Sequence, residues 1–110
     1  MPNNRTPVIS FASTKGGVGK TTLAFALATG LVDRMTGTSE YRIACIDADP
    51  NRTLDTSLRK AEAAEIISMV SDAETMLQTL RDAEQAADLV LIDLEAVSYT
   101  HLTLPTKRIV

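Results

Sequence analysis

One cysteine, one histidine and no tryptophan stand in this chain of 110 residues, and aromatic side chains make up only 4% of it. The lone thiol, Cys45, cannot close an internal disulfide. It lies inside the apolar run RIACID and reads as a packed strand residue rather than a redox centre or metal ligand. No apolar run reaches the ~18 residues that a membrane-crossing helix needs, so the sequence holds no membrane segment. The N-terminal MPNNRTP lacks the apolar core of a secretory signal, which makes the cytoplasm the expected compartment. A net charge of −3 gives no electrostatic case for nucleic acid as a direct partner of this segment. Internal repeats and low-complexity stretches are absent as well. What remains is an ordinary globular composition, 45% hydrophobic and 23% charged, with room for one domain of modest size.

Apolar runs alternate with helical patterns along the chain. Val8 to Ser13 (VISFAS) predicts a buried strand, and Thr21 to Arg34 a helix with Leu23, Ala24, Leu27, Ala28 and Leu31 on one face. Gly37 falls in the following turn, and Arg42 to Asp47 (RIACID) predicts a second buried strand. A helix is expected over Leu54 to Ala64 and a strand over Ile66 to Val70. After these comes a helix capped by Ser71 or Asp72, with Ala73, Met76, Leu77, Leu80, Ala83 and Ala87 as its apolar stripe. Leu89 to Leu94 (LVLIDL) predicts a fourth strand. Strand–helix alternation of this kind implies an α/β fold, a parallel sheet with helices on both faces.

Between the first strand and first helix, Phe11 to Thr22 reads FASTKGGVGKTT. A glycine-rich turn opening a helix with Gly-Lys-Thr is a phosphate cradle, because backbone N–H groups of the turn and first helical turn point at the anion. Gly16, Gly17 and Gly19 let the backbone approach phosphate oxygens closely. Lys20 can reach the β and γ phosphates, and the Thr21 hydroxyl can ligate Mg²⁺. Gly16, Gly17, Val18, Gly19, Lys20, Thr21 and Thr22 are thus the candidate nucleotide-binding stretch. The general pattern G-x-x-x-x-G-K-[ST] fails at one place: Thr14 stands where the first glycine should be, followed by a second lysine, Lys15.

Lys-Gly-Gly-Val-Gly-Lys-Thr resembles the deviant phosphate-binding motif of the ParA/MinD family of P-loop ATPases. The resemblance covers about residues 8 to 96. It implies that Lys20 holds ATP in its own subunit, while Lys15 reaches across an ATP-dependent homodimer to the partner's phosphates. The segment CIDADPN, Cys45 to Asn51, resembles the family's Asp-x-Asp-Pro stretch, with Asp47 near the Mg²⁺ shell, Asp49 orienting the attacking water and Pro50 turning the chain out of the strand. Asp93, closing LVLIDL, matches the family's aspartate that holds Mg²⁺ through water, at the strand end where open α/β sheets bind ligands. Leu94-Glu95-Ala96 replaces the Thr-Pro-Pro of many relatives and is closer to the plasmid-type branch.

The implied activity is slow ATP hydrolysis by Lys15, Lys20 and Asp49 with ATP and Mg²⁺, stimulated by a partner protein. The implied role is a dimer switch for plasmid or chromosome partitioning or related intracellular positioning, on non-specific DNA at the nucleoid. Alternatives on the same scaffold are a membrane-positioning cell-division ATPase, an electron-transfer ATPase and a ligase. The second of these would need cluster cysteines that the sequence lacks, and Lys15 counts against the third.

From Val97 the text changes. VSYTHLTLPTKRIV has no acidic residue, contains His101, and resembles the translation of the transposase-end adapter used to build sequencing libraries. The expectation is that residues 1–96 are the N-terminal part of an ATPase domain truncated after about four strands, and that residues 97–110 are a non-native tail. A polypeptide cut there is expected to be poorly stable and inactive, or a gene–adapter chimera without function.

Overall fold

A computed structural model describes residues 6–13, 18–34, 41–95 and 107–108. The elements are β1 (Val8–Ser13), α1 (Val18–Arg34), β2 (Ile43–Ala48), α2 (Thr53–Lys60), β3 (Ile66–Val70), α3 (Met76–Ala86), β4 (Leu89–Glu95) and the two-residue β5 (Lys107–Arg108). All pairings are parallel, in the order β3-β2-β4-β1-β5. This is the α/β architecture expected from the alternation, with β5 added beside Ile9 and Ser10 of β1. The predicted turn at Gly37 and the residue His101 lie outside the described residues.

The order explains which face each helix covers. Travel from β1 to β2 to β3 runs outward in one direction, and the return from β3 to β4 reverses it. Because parallel crossovers are right-handed, the helix must change face when the direction reverses. Ala24 and Ala28 of α1 and Leu54 and Leu58 of α2 accordingly pack with Phe11, Ile43, Cys45, Leu89 and Leu91. Met76, Leu80 and Ala83 of α3 pack on the other side with Val8, Ala44, Ile46, Val90 and Ile92. Small residues at Ala24 and Ala28, both fully buried, let α1 lie close to the sheet.

Three features differ from the sequence reading. Leu23 and Leu77 were expected on buried helix faces, yet they are 43% and 51% exposed. In α1 the inward row is Lys20, Ala24 and Ala28, spaced by four, and Leu23 lies at its margin. In α3 the row Met76, Leu80, Ala83 and Ala87 fills the interface without Leu77. Next, α2 stops at Lys60 rather than Ala64. Glu62 takes a left-handed φ of 51°, and the N–H groups of Glu62 and Ala63 donate back to Arg59 O and Leu58 O at 3.1 and 3.2 Å. That is a Schellman ending made without glycine. Finally, α3 begins at Met76. Asp72 caps the turn that leads into it, its Oδ1 accepting from Glu74 N and Thr75 N, each at 3.0 Å.

Candidate functional site

Strand parity delivers two carboxylates to one place. Along β2, Ile43 and Cys45 face α1 and α2, so Asp47 does too. Along β4, Leu89 and Leu91 face that side, and so does Asp93. Asp47 and Asp93 are register partners in adjacent strands, near the C-terminal ends where α1 also begins. Both are fully buried.

At Asp93 the partners are side chains from α1. Thr21 Oγ1 donates to Asp93 Oδ2 at 3.0 Å, and the Lys20 ammonium forms an ion pair with Asp93 Oδ1. That oxygen is buried and receives no aligned hydrogen bond, so the ammonium meets it as a charge rather than as a directed donor. Lys20 Nζ also donates to Leu94 O at 3.0 Å and to Asp49 Oδ2 at 3.3 Å. Burying an ammonium is costly unless it is paired, and two carboxylates and a carbonyl offset that cost here.

Asp47 is held by the main chain instead. Its Oδ1 accepts from Asp49 N at 3.1 Å and its Oδ2 from Asp55 N at 2.8 Å. The second bond caps α2, whose N-cap residue, Arg52, has no side-chain acceptor to offer. Burial pushes the Asp47 carboxyl above its ordinary value, and the two N–H bonds pull the other way. Asp47 therefore brackets the loop after β2 and has both oxygens engaged.

Asp49 divides its carboxylate. Oδ1 accepts from Asn51 N at 2.9 Å within the turn closed by Arg52 N to Asp49 O at 3.0 Å, and Oδ2 faces Lys20. Pro50 is in this turn, as the sequence implies.

The structure thus brings together Lys20, Thr21, Asp49 and Asp93, with Asp47 beside them. Thr22 is exposed on α1. Val18 and Gly19 are in the first turn of α1, and Lys15, Gly16 and Gly17 lie outside the described residues. The oxygen set suits Mg²⁺, a hard cation that takes one or two carboxylates and completes its shell with water and phosphate. Asp93, with one oxygen lacking a directed donor, and the Thr21 hydroxyl supply such a pair. Among the described residues no group of three or more His, Cys, Asp or Glu side chains could hold a metal ion by itself. Cys45, beneath the two aspartates, is buried, and its thiol is pushed up to about 12, first by burial and then by Asp93 and Asp47. It is a packed, unreactive thiol. The sequence reading missed Arg52 and Asp55, both of which organise the loop after Asp47. The stretch Asn51 to Asp55 (NRTLD) carries no local pattern that would have flagged them.

Residues 9–101 match the CobQ/CobB/MinD/ParA nucleotide binding domain, and the chain belongs to that family. It is 33% identical over 94 residues to Protein ParA of Rhizobium radiobacter, covering 84% of this chain and 40% of that one. It is 31% identical over 97 residues to the maintenance of carboxysome distribution protein A of Halothiobacillus neapolitanus (strain ATCC 23641 / c2), covering 84% of this chain and 42% of that protein. The chain spans about two-fifths of the length of these curated relatives. Among the described residues, no helix is long and apolar enough to cross a membrane.

Proposed function

We propose that this chain carries the triphosphate-binding part of an ATP-hydrolysing dimer switch, one that partitions plasmids or chromosomes or positions another cargo inside the cell. The observation that carries the reading is the convergence of Lys20 and Thr21, from the first turns of α1, on Asp93 at the end of β4 and Asp49 after β2. Lys20 binds the β and γ phosphates, exchanging part of its carboxylate shell for phosphate oxygens. Thr21 and Asp93 hold Mg²⁺, which when bound neutralises charge on the transferring phosphoryl group. Asp49 orients the attacking water, and Asp47 fixes the loop on which Asp49 sits. Gly16, Gly17, Val18 and Gly19 belong to the phosphate-binding stretch, a type of sequence that binds through backbone N–H groups. Lys15 acts on the nucleotide of the second subunit, so that dimerisation senses ATP.

Non-specific DNA as the bound surface, a partner protein that stimulates hydrolysis, and a cytoplasmic, nucleoid-associated location follow from the same reading. The name ParA of one relative supports a partition role, and the carboxysome-distribution name of the other supports positioning of a different cargo. We also infer that residues 97–110 derive from adapter sequence, although the family match extends past Ala96 to residue 101.

Titration of the chain with a fluorescent ATP analogue, with and without Mg²⁺, tests the site. Saturable, Mg²⁺-enhanced binding that Lys20→Ala reduces at least about tenfold is the expected result. Binding unchanged by that substitution would reject the assignment of Lys20. Resequencing the source locus across the codon for Ala96 tests the tail. A frame that continues into further strand–helix units identifies an artefact, and an encoded tail followed by a stop overturns it.

A further inference from the structure

Arg52 has no part in the reading above, yet it stands at the centre of the loop that carries Asp49. Its backbone is left-handed, with φ 54° and ψ 34°, a conformation that glycine or asparagine adopts far more readily. Something must hold it there. Arg52 Nη1 donates to Asp47 O at 2.6 Å and to Ser71 O at 2.7 Å, which ties the end of β2 to the residue following β3. Asp47 O also accepts from Ser71 N at 3.0 Å. On the main chain, Arg52 N donates to Asp49 O, and Arg52 O accepts from Thr56 N at 3.0 Å and Thr56 Oγ1 at 2.8 Å. One residue therefore closes the Asp49 turn, starts α2 and clamps two strand ends.

We propose that Arg52 is a positioning residue that sets where the Asp49 carboxylate meets Lys20. The proposal rests on the assignment of Lys20 and Asp49 to the nucleotide site. With Asp49 Oδ1 committed to the turn, Oδ2 is directed at the ammonium, and the turn keeps its shape only while the guanidinium bridges both carbonyls. Both bonds leave one nitrogen, Nη1, so a lysine ammonium, which also carries its donors on one atom, can replace them in part.

The test uses the 110-residue chain, MgATP as the probe and a double-mutant cycle. Glycine suits the backbone at this position, so Arg52→Gly removes the clamp without adding strain and keeps the variant folded. Arg52→Gly is expected to change the MgATP dissociation constant by at least about threefold, and Arg52→Lys, which keeps a donor group on one nitrogen, by less. In an Asp49→Asn background the same changes are expected to have an effect below about 1.5-fold, because residues acting through one another do not add. Amide exchange across 47–56 should quicken by about tenfold in Arg52→Gly while β4 amides keep their protection. Equal shifts in both backgrounds, or none in either, would overturn the proposal while leaving the nucleotide site standing. An unsubstituted chain that binds no MgATP would remove the nucleotide reading and this proposal together.

Discussion

The ends of β2 and β4 carry the same residue at the same height of the sheet, both side chains fully buried, and they are held by different kinds of partner. Asp47 is bonded by two backbone N–H groups, those of Asp49 and Asp55. Asp93 is met by two side chains from α1, the Thr21 hydroxyl and the Lys20 ammonium. A carboxylate that caps the main chain cannot change partners without releasing the loop it holds. One satisfied by side chains can, because Lys20 and Thr21 turn about their own torsions while the sheet and helix stay in place. The pair thus divides one site into a fixed bracket and an exchangeable end, and only the second is suited to a ligand that comes and goes.

The same substitution at both ends should separate them most. In Asp47→Asn the amide nitrogen must face one of two N–H donors, leaving a buried donor without an acceptor and costing about 2 kcal/mol of stability. In Asp93→Asn the amide can accept from Lys20 and donate to Thr21 Oγ1, but the buried ammonium is left with Asp49 as its one carboxylate, a cost of about 3 kcal/mol that adding Lys20→Met relieves. Urea denaturation of the two variants, each with and without Lys20→Met, measures both. A loss in Asp93→Asn that Lys20→Met does not relieve, or a loss in Asp47→Asn that it does, would erase the distinction between bracket and exchangeable end.

A second contrast concerns the cation. Asp93→Asn removes the charge that Mg²⁺ would use, and the Mg²⁺-dependent gain in ATP affinity should fall by about tenfold, roughly 1.4 kcal/mol. Asp47→Asn should leave that gain within about threefold wherever the variant remains folded, because each Asp47 oxygen is already bonded to a main-chain N–H. A larger loss in Asp47→Asn than in Asp93→Asn would reverse the assignment.

Much of this was legible in the sequence, since a buried strand alternates faces and its end must deliver whatever residue falls there. RIACID and LVLIDL therefore place two aspartates at the C-terminal edge of one sheet, and the register of β2 with β4 then turns both to the same face. What each aspartate holds was not legible, because that depends on donors contributed by α1 and by the loop after Asp49. The end of α2 was hidden for a related reason. Its left-handed residue is Glu62, where a sequence reader looks for glycine. Arg52 was hidden twice over, by an unfavourable backbone and by contacts to carbonyls that no side-chain motif records. Leu77 looked buried because helical spacing gives a face but not its width.

The bracket continues outward from Asp47 through Asp55, whose carboxylate accepts from Ser68 Oγ at 2.7 Å and Arg59 Nε at 2.9 Å. The hydrogen bond from Ser68, with Arg59 beside it, holds the Asp55 carboxyl below its ordinary value of 3.8. For a carboxyl lowered by folding, the stabilisation is complete above 3.8 and is lost as the pH falls through the folded value. Asp55→Ala should cost about 1 kcal/mol at pH 7, and the gap between variant and parent should close below pH 3.8. Melting curves at neutral and acid pH compare them. A gap that persists in acid would mean that the side chain stabilises α2 without its charge.

The smallest expected effect uses Cys45 as a reporter of both ends at once. Its thiol is pushed up to about 12 by burial first, with the Asp93 charge the larger of the two carboxylate contributions and Asp47 the smaller. Neutralising a nearby carboxylate makes the thiolate less unfavourable, so each asparagine variant should lower the thiol's titration, Asp93→Asn by more than Asp47→Asn. Burial is untouched in both, so neither should bring the thiol down to its ordinary 9.0. The ¹³Cβ shift of Cys45 against pH reads this directly, with the onset of titration moving to lower pH in Asp93→Asn. Should Asp47→Asn move it further, the charge on Asp47 would outweigh that on Asp93 at the thiol. The Lys20 ammonium would then be neutralising the β4 end more completely than its split among Asp93, Asp49 and Leu94 implies.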